Sequence, residues 1–501
     1  MGFYVTTPIY YVNAEPHLGH AYSTIAADIV ARHMRQRGEE VFFQTGTDEH
    51  GEPTARAAEE QGVSPKELAD RNAPRFKELM PKINVSEDFF IRTSDPEHVT
   101  KVQEVILRVK ENGFIYEGLY EGWYCPRCAD FKNESEIAEG NTCPIHGIPL
   151  EWESQQNWFF KLSAFQERLE KLYEDQPGFV IPDFRRNEAV SFIKQGLQDV
   201  SLSRPKLKWG VPLPWDPDQV VYVWWDALLN YVSGLTYARE GEDLTERFWP
   251  PDLQVMAKDI LKFHAVYWPA LLWAADIPLP KRMVIHGYLL MEGQKMSKSL
   301  GNVLDPFEVI ERFGADALRY YCFREVSFGH DGSVSAAGFE SRYETELANE
   351  FGNLASRTTA MISRYRDGVV PEAEAEAVLA EAFAGAPERV RELFDRVELT
   401  QGLEEIWKLV RRLNQYVEQS KPWELAKKEA EAERLDAVLY GLAEGLRVAT
   451  LLLLPYLPET AGALLAALSE DSRELAEFGS RSGGQRVEKL APLFPKLEPA
   501  S

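Results

Sequence analysis

The chain has 501 residues, 45% of them hydrophobic and 27% charged, which is the composition of an ordinary globular protein long enough for several domains. Aromatic residues make up 12% and are spread along it, which excludes long disorder; the apolar run 265–275 covers only about half of a ~30 Å bilayer core. A formal net charge of −24 excludes nucleic-acid binding over the whole surface, so any RNA contact must be a local basic or stacking patch.

The first residues, M-G-F-Y-V-T-T, fit a myristoylation pattern but read better as a core strand, and no basic start or apolar leader precedes them. A cytoplasmic protein is expected. F-Y-V-T-T-P is an extended run, H-L-G-H-A-Y-S-T-I-A-A-D-I-V-A-R-H-M has helical apolar spacing, Gly38 ends it, and E-V-F-F-Q-T-G is a buried strand. That β-α-β order predicts a parallel, Rossmann-like sheet with a right-handed crossover. His17 and His20 fall in the first helical turn, where N–H groups and the helix dipole favour phosphate, and Gly19 leaves room for a base. Two ordinary surface histidines are the plain alternative.

Residues 115–203 break the pattern and read as an insertion that splits the sheet domain. Within them Cys125, Cys128, Cys143 and His146 form C-x2-C-x14-C-x2-H, the spacing of a tetrahedral zinc knuckle. Four protein ligands make a structural site; disulfides are the alternative in an oxidising compartment. Cys322, in A-L-R-Y-Y-C-F-R, reads as a core thiol. Strand signals return in Q-V-V-Y-V-W-W, D-L-Q-V-M-A and R-M-V-I-H-G, alternating with helical stretches. Lys295 and Lys298, in K-M-S-K-S, sit on a small Gly-flanked loop that can bring positive charge to a leaving pyrophosphate. Beyond about residue 340 the pattern is wholly helical: Val390, Leu393, Phe394 and Val397, then Leu403, Ile406, Trp407 and Val410, mark bundle stripes.

P-H-L-G-H after the first strand and K-M-S-K-S after the last are the paired signatures of class I aminoacyl-tRNA synthetases. T-G-T-D-E-H-G, V-Y-V-W-W-D-A-L-L-N-Y, K-D-I-L-K-F-H-A-V-Y-W-P-A, the cysteine cluster, N-E-F-G-N-L-A-S-R and K-P-W-E-L resemble methionyl-tRNA synthetases specifically, in a bacterial short form with one zinc knuckle. The resemblance implies activation of L-methionine with ATP to methionyl-adenylate, then transfer to the 3′ end of initiator and elongator methionine tRNAs. It places His17, Gly19, His20, Lys258, Asp259, Lys295 and Lys298 at ATP, with Mg2+ accompanying the nucleotide. It places Asp48 on the methionine ammonium, and Ile9, Tyr11, Trp224, Ala227, Tyr231, Ile260 and His264 around the side chain. Asn353, Arg357 and Trp423 read the anticodon, and Cys125, Cys128, Cys143 and His146 hold one structural Zn2+.

The expected architecture is α/β. A Rossmann-like catalytic domain (1–114 and 204–294) is split by the zinc-binding insertion (115–203). A lysine-loop linker (295–342) and an α-helical anticodon-binding domain (343–501) follow. A monomer is expected, because no appended oligonucleotide-binding domain is read at the end. Homocysteine, too similar for the pocket alone to reject, is expected to be cyclised to its thiolactone in the synthetic site. Three positions depart from the family pattern: Ala257 where Gly is usual, Leu228 where Pro is common, and Trp225, whose side chain is expected to alternate away from Trp224 along a strand. Rival readings are another H-x-G-H nucleotidyl-transferring enzyme, which lacks the bundle and zinc ribbon, or a non-catalytic tRNA-binding paralogue, which should have lost a signature His or Lys.

Overall fold

A computed structural model describes residues 2–128, 130–132, 134–291, 294–295 and 305–496. The chain divides into two compact units, one of Met1–Pro16, Val41–Met80 and Glu87–His286, the other of His17–Glu40, Pro81–Ser86 and Gly287–Ser501.

In the first unit six strands form one sheet: β1 (Phe3–Tyr11), β2 (Val41–Asp48), β3 (Phe89–Arg92), β4 (Val180–Ile181), β5 (Leu253–Ala257) and β6 (Met283–His286). The spatial order is β3-β2-β1-β5-β6-β4, and every neighbouring pair is parallel. All eight residues of β2 are buried, as expected of a parallel strand covered on both faces. The strand order reverses at β1, so the carboxyl ends of β1, β2 and β5 frame the switch point where such sheets bind ligands. The amino terminus is thus tied into the sheet, with Gly2 N–H donating to the Arg247 carbonyl.

The stretch read as an insertion builds an antiparallel sheet of its own. Its long hairpin pairs Ile115–Cys125 with Glu151–Phe160, and Asp130–Lys132 and Val200–Ser201 flank it. Inside the same stretch, Val180–Ile181 returns to the main sheet as edge strand β4.

One reading needs correction. The run Q-V-V-Y-V-W-W is strand only as far as Val221, in a small antiparallel sheet; Val223–Leu228 is a helix opened by extended Tyr222. A run apolar at every position carries no period, so it does not tell a buried strand from a buried helix. Trp224 and Trp225 therefore diverge by helical rotation rather than strand alternation. Trp225 is fully buried against Phe160 and Tyr267, while Trp224 lies flat on Phe263. Leu228 is also buried in this core.

The second unit contains the helix Leu18–Gln36 together with the carboxyl-terminal helices. Arg319, fully buried, ties them: its Nη2 donates to Asp28 Oδ2 at 2.6 Å, and its other N–H groups donate to the carbonyls of Ile83, Pro455 and Tyr456. Leu403, Ile406, Trp407 and Val410 on the helix Leu399–Ser420 are all fully buried, as their spacing predicts. Val397, at φ 57°, lies past the end of the helix Ala386–Asp395. Among the described residues no helix is long and apolar enough to cross a membrane.

Candidate active site

At the switch point, strand register brings the first pocket residues together. Tyr11 is paired with Asp48 across β1 and β2, and Ile9 with Gly46. Gly46 is required here, because a Cβ would meet the Ile91 carbonyl oxygen at 2.1 Å. The Tyr11 ring meets Trp224 edge-on at 6.4 Å, and Trp224 stacks on Phe263 at 3.8 Å with 5° between the planes. His264 also stands edge-on to Trp224, at 6.2 Å. Its Nε2 is 2.8 Å from the Tyr231 hydroxyl and its Nδ1 is 3.1 Å from the Ile260 carbonyl. Nδ1–H donating to that carbonyl leaves Nε2 to accept from Tyr231, the neutral tautomer. Burial holds His264 at about 4, consistent with a neutral ring near pH 7. Ala227 is buried on the same short helix as Trp224, and Tyr231 on the helix Asn230–Tyr237 that follows. The ring walls suit a soft, polarisable sulfur.

The polar end of this pocket is a carboxyl group with no counter-ion among the described residues. Asp48 is 3% exposed, and its Oδ1 has no hydrogen-bond partner among the described residues. Burial, then the neighbouring Asp226 and Glu49, push its carboxyl well above the usual carboxylate range. Glu49 is neutralised by Arg92, which grips both its oxygens at 2.6 and 2.9 Å. Asp226 sits between two imidazoles, His50 Nδ1 and His98 Nε2, each at 2.7 Å. The site thus holds one buried acid that a ligand cation would satisfy. His50, His98, Asp226 and Phe263 were not assigned roles from sequence. His50, Asp226 and Phe263 lie inside T-G-T-D-E-H-G, V-W-W-D-A and K-D-I-L-K-F-H, but only folding shows that His50 and Asp226 meet.

His17 and His20 open the helix Leu18–Gln36 as a reciprocal cap. The His17 Nδ1 accepts from Gly19 N–H and the His20 Nδ1 accepts from His17 N–H, both at 3.1 Å, with the rings stacked 3.7 Å apart. With both Nδ1 atoms accepting, each neutral ring carries its proton on Nε2, where it can donate to an anion. Gly19 has a tighter role than room for a base: a Cβ there would meet the His17 ring at 2.9 Å. Lys258 and Asp259 begin a short turn of 3-10 helix directly after β5. Ala257, before them, has φ −84° and ψ 159°, a backbone open to any residue, so alanine in place of glycine brings no strain of its own. Of the lysine loop, Lys298 lies outside the described residues, and Lys295 is described only by its backbone, in the strand Gln294–Lys295.

Cys125 ends one arm of the insertion hairpin, and Cys128, Cys143 and His146 converge on it. Their ligand atoms all lie within 4.8 Å of one another, with Cys128 Sγ 3.3 Å from His146 Nδ1 and 3.5 Å from Cys143 Sγ. Three sulfurs and one imidazole nitrogen at these separations fit tetrahedral Zn2+ with bonds of roughly 2.0–2.3 Å. All four cysteines are unpaired with one another as disulfides. In the second unit, Arg357 lies over the Trp423 ring at 5.7 Å and pairs with Glu418 at 2.8 Å; Asn353 is exposed one helical turn before Arg357.

The sequence profile described as "tRNA synthetases class I (M)" matches residues 3–149 and 138–359. A methionine–tRNA ligase of Caldanaerobacter subterraneus is 44% identical over 99% of this chain and 79% of its own length. One of Rhizobium meliloti is 43% identical over 99% of this chain and 98% of its own. The solved Mycobacterium tuberculosis methionyl-tRNA synthetase in complex with methionyl-adenylate superposes with a TM-score of 0.95, at 42% identity, over 99% of this chain and 100% of that one. With the sheet, the pocket and the cysteine cluster already in place, these matches make the chain a member of the class I methionyl-tRNA synthetase family.

Proposed function

We propose that this chain joins L-methionine and ATP as methionyl-adenylate with release of pyrophosphate, then passes the methionyl group to the 3′ end of initiator and elongator methionine tRNAs. The observation that carries the reading is the buried Asp48, without a hydrogen-bond partner at Oδ1 among the described residues and paired in register with Tyr11, whose ring meets Trp224, which in turn meets His264. A primary ammonium beside a thioether satisfies both features. Asp48 holds the ammonium; Ile9, Tyr11, Trp224, Ala227, Tyr231, Ile260 and His264 surround the side chain. The methionine carboxylate then attacks the α-phosphate without a covalent enzyme intermediate, so catalysis is positioning and charge stabilisation.

His17 and His20 donate to the ATP phosphates from the helix start, where Gly19 keeps the backbone close. Lys258 and Asp259 hold the adenosine, and Lys295 and Lys298 neutralise the transition state and the departing pyrophosphate. Mg2+ belongs to the nucleotide and is assigned no protein ligand. When bound by Cys125, Cys128, Cys143 and His146, Zn2+ supplies structural cross-linking of the insertion. Asn353 and Arg357 hydrogen-bond the first anticodon base and Trp423 stacks on it. The domain limits follow the sequence reading, at 114, 203, 294 and 342, and the protein acts in the cytoplasm as a monomer.

Methionine-dependent exchange of labelled pyrophosphate into ATP tests the reading. Exchange is expected with methionine and not with leucine; no exchange with any amino acid overturns it.

A further inference from the structure

Three buried carboxylates crowd the polar end of the pocket, and each is handled differently. Glu49 is closed by Arg92, which also bonds Asp70. Asp48 keeps an open oxygen. Asp226, fully buried, receives two imidazoles, His50 from the loop two residues beyond Asp48 and His98 from the helix Pro96–Glu111. The chain of bonds continues from His98 Nδ1 to the Ser233 hydroxyl at 2.6 Å. An ionised Asp226 accepts from both rings, so His98 carries its proton on Nε2 and its Nδ1 accepts from Ser233. Asp226 lies on the same helix as Trp224 and Ala227, and Ser233 on the same helix as Tyr231. One hydrogen-bonded chain therefore links the segment that carries Asp48 to both helices that carry the side-chain pocket.

We propose that Asp226 is a positioning residue for the amino-acid site: through His50 it locks the Asp48 segment to the Trp224 helix, and its buried charge makes the site demand a cation. The proposal rests on the assignment of Asp48 to the ammonium. A role in packing alone would be served by uncharged groups, because a fully buried carboxylate is a costly way to join two helices and a loop. A second negative charge beside Asp48 is instead useful where the incoming group is positive.

The charge has a signature in pH. Burial raises the Asp226 carboxyl, but His50 and His98 outweigh it and hold it at about 2, so Asp226 stays ionised across the working range. Its charge then helps keep a proton on Asp48 in the empty site, together with burial and Glu49. The other titratable groups at this end are Arg92 and Asp70 behind Glu49, and Tyr231, whose hydroxyl is bonded to His264. The methionine ammonium pairs with ionised Asp48, so affinity rises with pH through the free-enzyme Asp48 pKa and falls again where the ammonium loses its proton. Asp226→Asn removes a like charge and moves that rise to lower pH.

The experiment measures methionine and ATP KM by pyrophosphate exchange across pH for the full chain. Asp226→Asn and His50→Ala are expected to raise the methionine KM at neutral pH roughly tenfold or more, with the ATP KM within about twofold. His50→Asn, whose amide nitrogen takes the place of Nδ1, is expected to restore most of the loss. In Asp226→Asn the acid limb moves to lower pH. If that variant does not fold, the His50→Ala and His50→Asn pair carries the test. An unchanged methionine KM and acid limb, with only a lowered melting temperature, overturns the proposal and leaves the cluster as packing. Asp48→Asn separates the underlying assignment: if it too leaves the methionine KM unchanged, the ammonium reading itself falls.

Discussion

At Trp423 a half-buried ring lies under the Arg357 guanidinium, and that guanidinium is already paired with Glu418. On the proposed reading, an RNA base stacked here would share the ring's face with a cation. Stacking of this kind is worth ~1–3 kcal/mol, so Trp423→Ala is expected to raise the tRNA KM about tenfold in aminoacylation and to leave pyrophosphate exchange unchanged. Equal losses in both assays would place the ring in the fold rather than at the tRNA. Lys298 is the complementary case. Loss of one donor to a developing charge costs ~3 kcal/mol, so Lys298→Ala is expected to slow adenylate formation at least 10²-fold with little change in methionine affinity, read from the pre-steady-state burst. Both residues stand in motifs that the sequence displays, but the Arg357–Trp423 stack joins positions far apart in the chain.

Two elements depend on single polar clusters. In the second unit, burial raises the Asp28 carboxyl, yet Arg319 and Arg32 outweigh that and hold it below its ordinary value. A carboxyl depressed on folding stabilises above its unfolded pKa and loses that stabilisation as pH falls through the folded value. Urea unfolding of the chain is therefore expected to show stability declining below about pH 4, and Asp28→Asn should remove part of that decline. Arg319→Ala, which leaves a buried carboxylate unpaired, is expected to cost about 3–5 kcal/mol. The second element is the insertion. Chelation is expected to free the thiols of Cys125, Cys128 and Cys143 for a thiol reagent while Cys322 stays silent in the native protein, since burial pushes its thiol to about 12. Release of Zn2+ in proportion to those three thiols checks the ligand set. The spacing C-x2-C-x14-C-x2-H displayed this cluster in full, because each half is a local turn. Nothing local displayed the bond from Asp28 to Arg319, which joins residues 291 positions apart.

For the molecule as a whole, residues 115–203 supply a hairpin, the cysteine cluster, the helices Gln166–Asp175 and Asp183–Lys194 and edge strand β4, a stretch whose length reads as too short for an added editing domain. Homocysteine presented with ATP is accordingly expected to leave as its thiolactone; free homocysteine as the main product would point to hydrolysis elsewhere. The parallel Rossmann-like sheet, the helical second half, the cysteine ligands and the two signature motifs were all legible in the sequence, because each rests on short-range periodicity or spacing; the strand order, with edge strand β4 returning from the insertion, was not. The helix at Trp224 was not, since uninterrupted apolar residues leave the backbone period undetermined. Nor was the His50–Asp226–His98 chain, whose members come from a loop and two helices. Local pattern settles which elements form, but which buried charge faces which imidazole is settled only when strand order and packing bring distant segments into one low-dielectric space, where an unmatched polar group is costly.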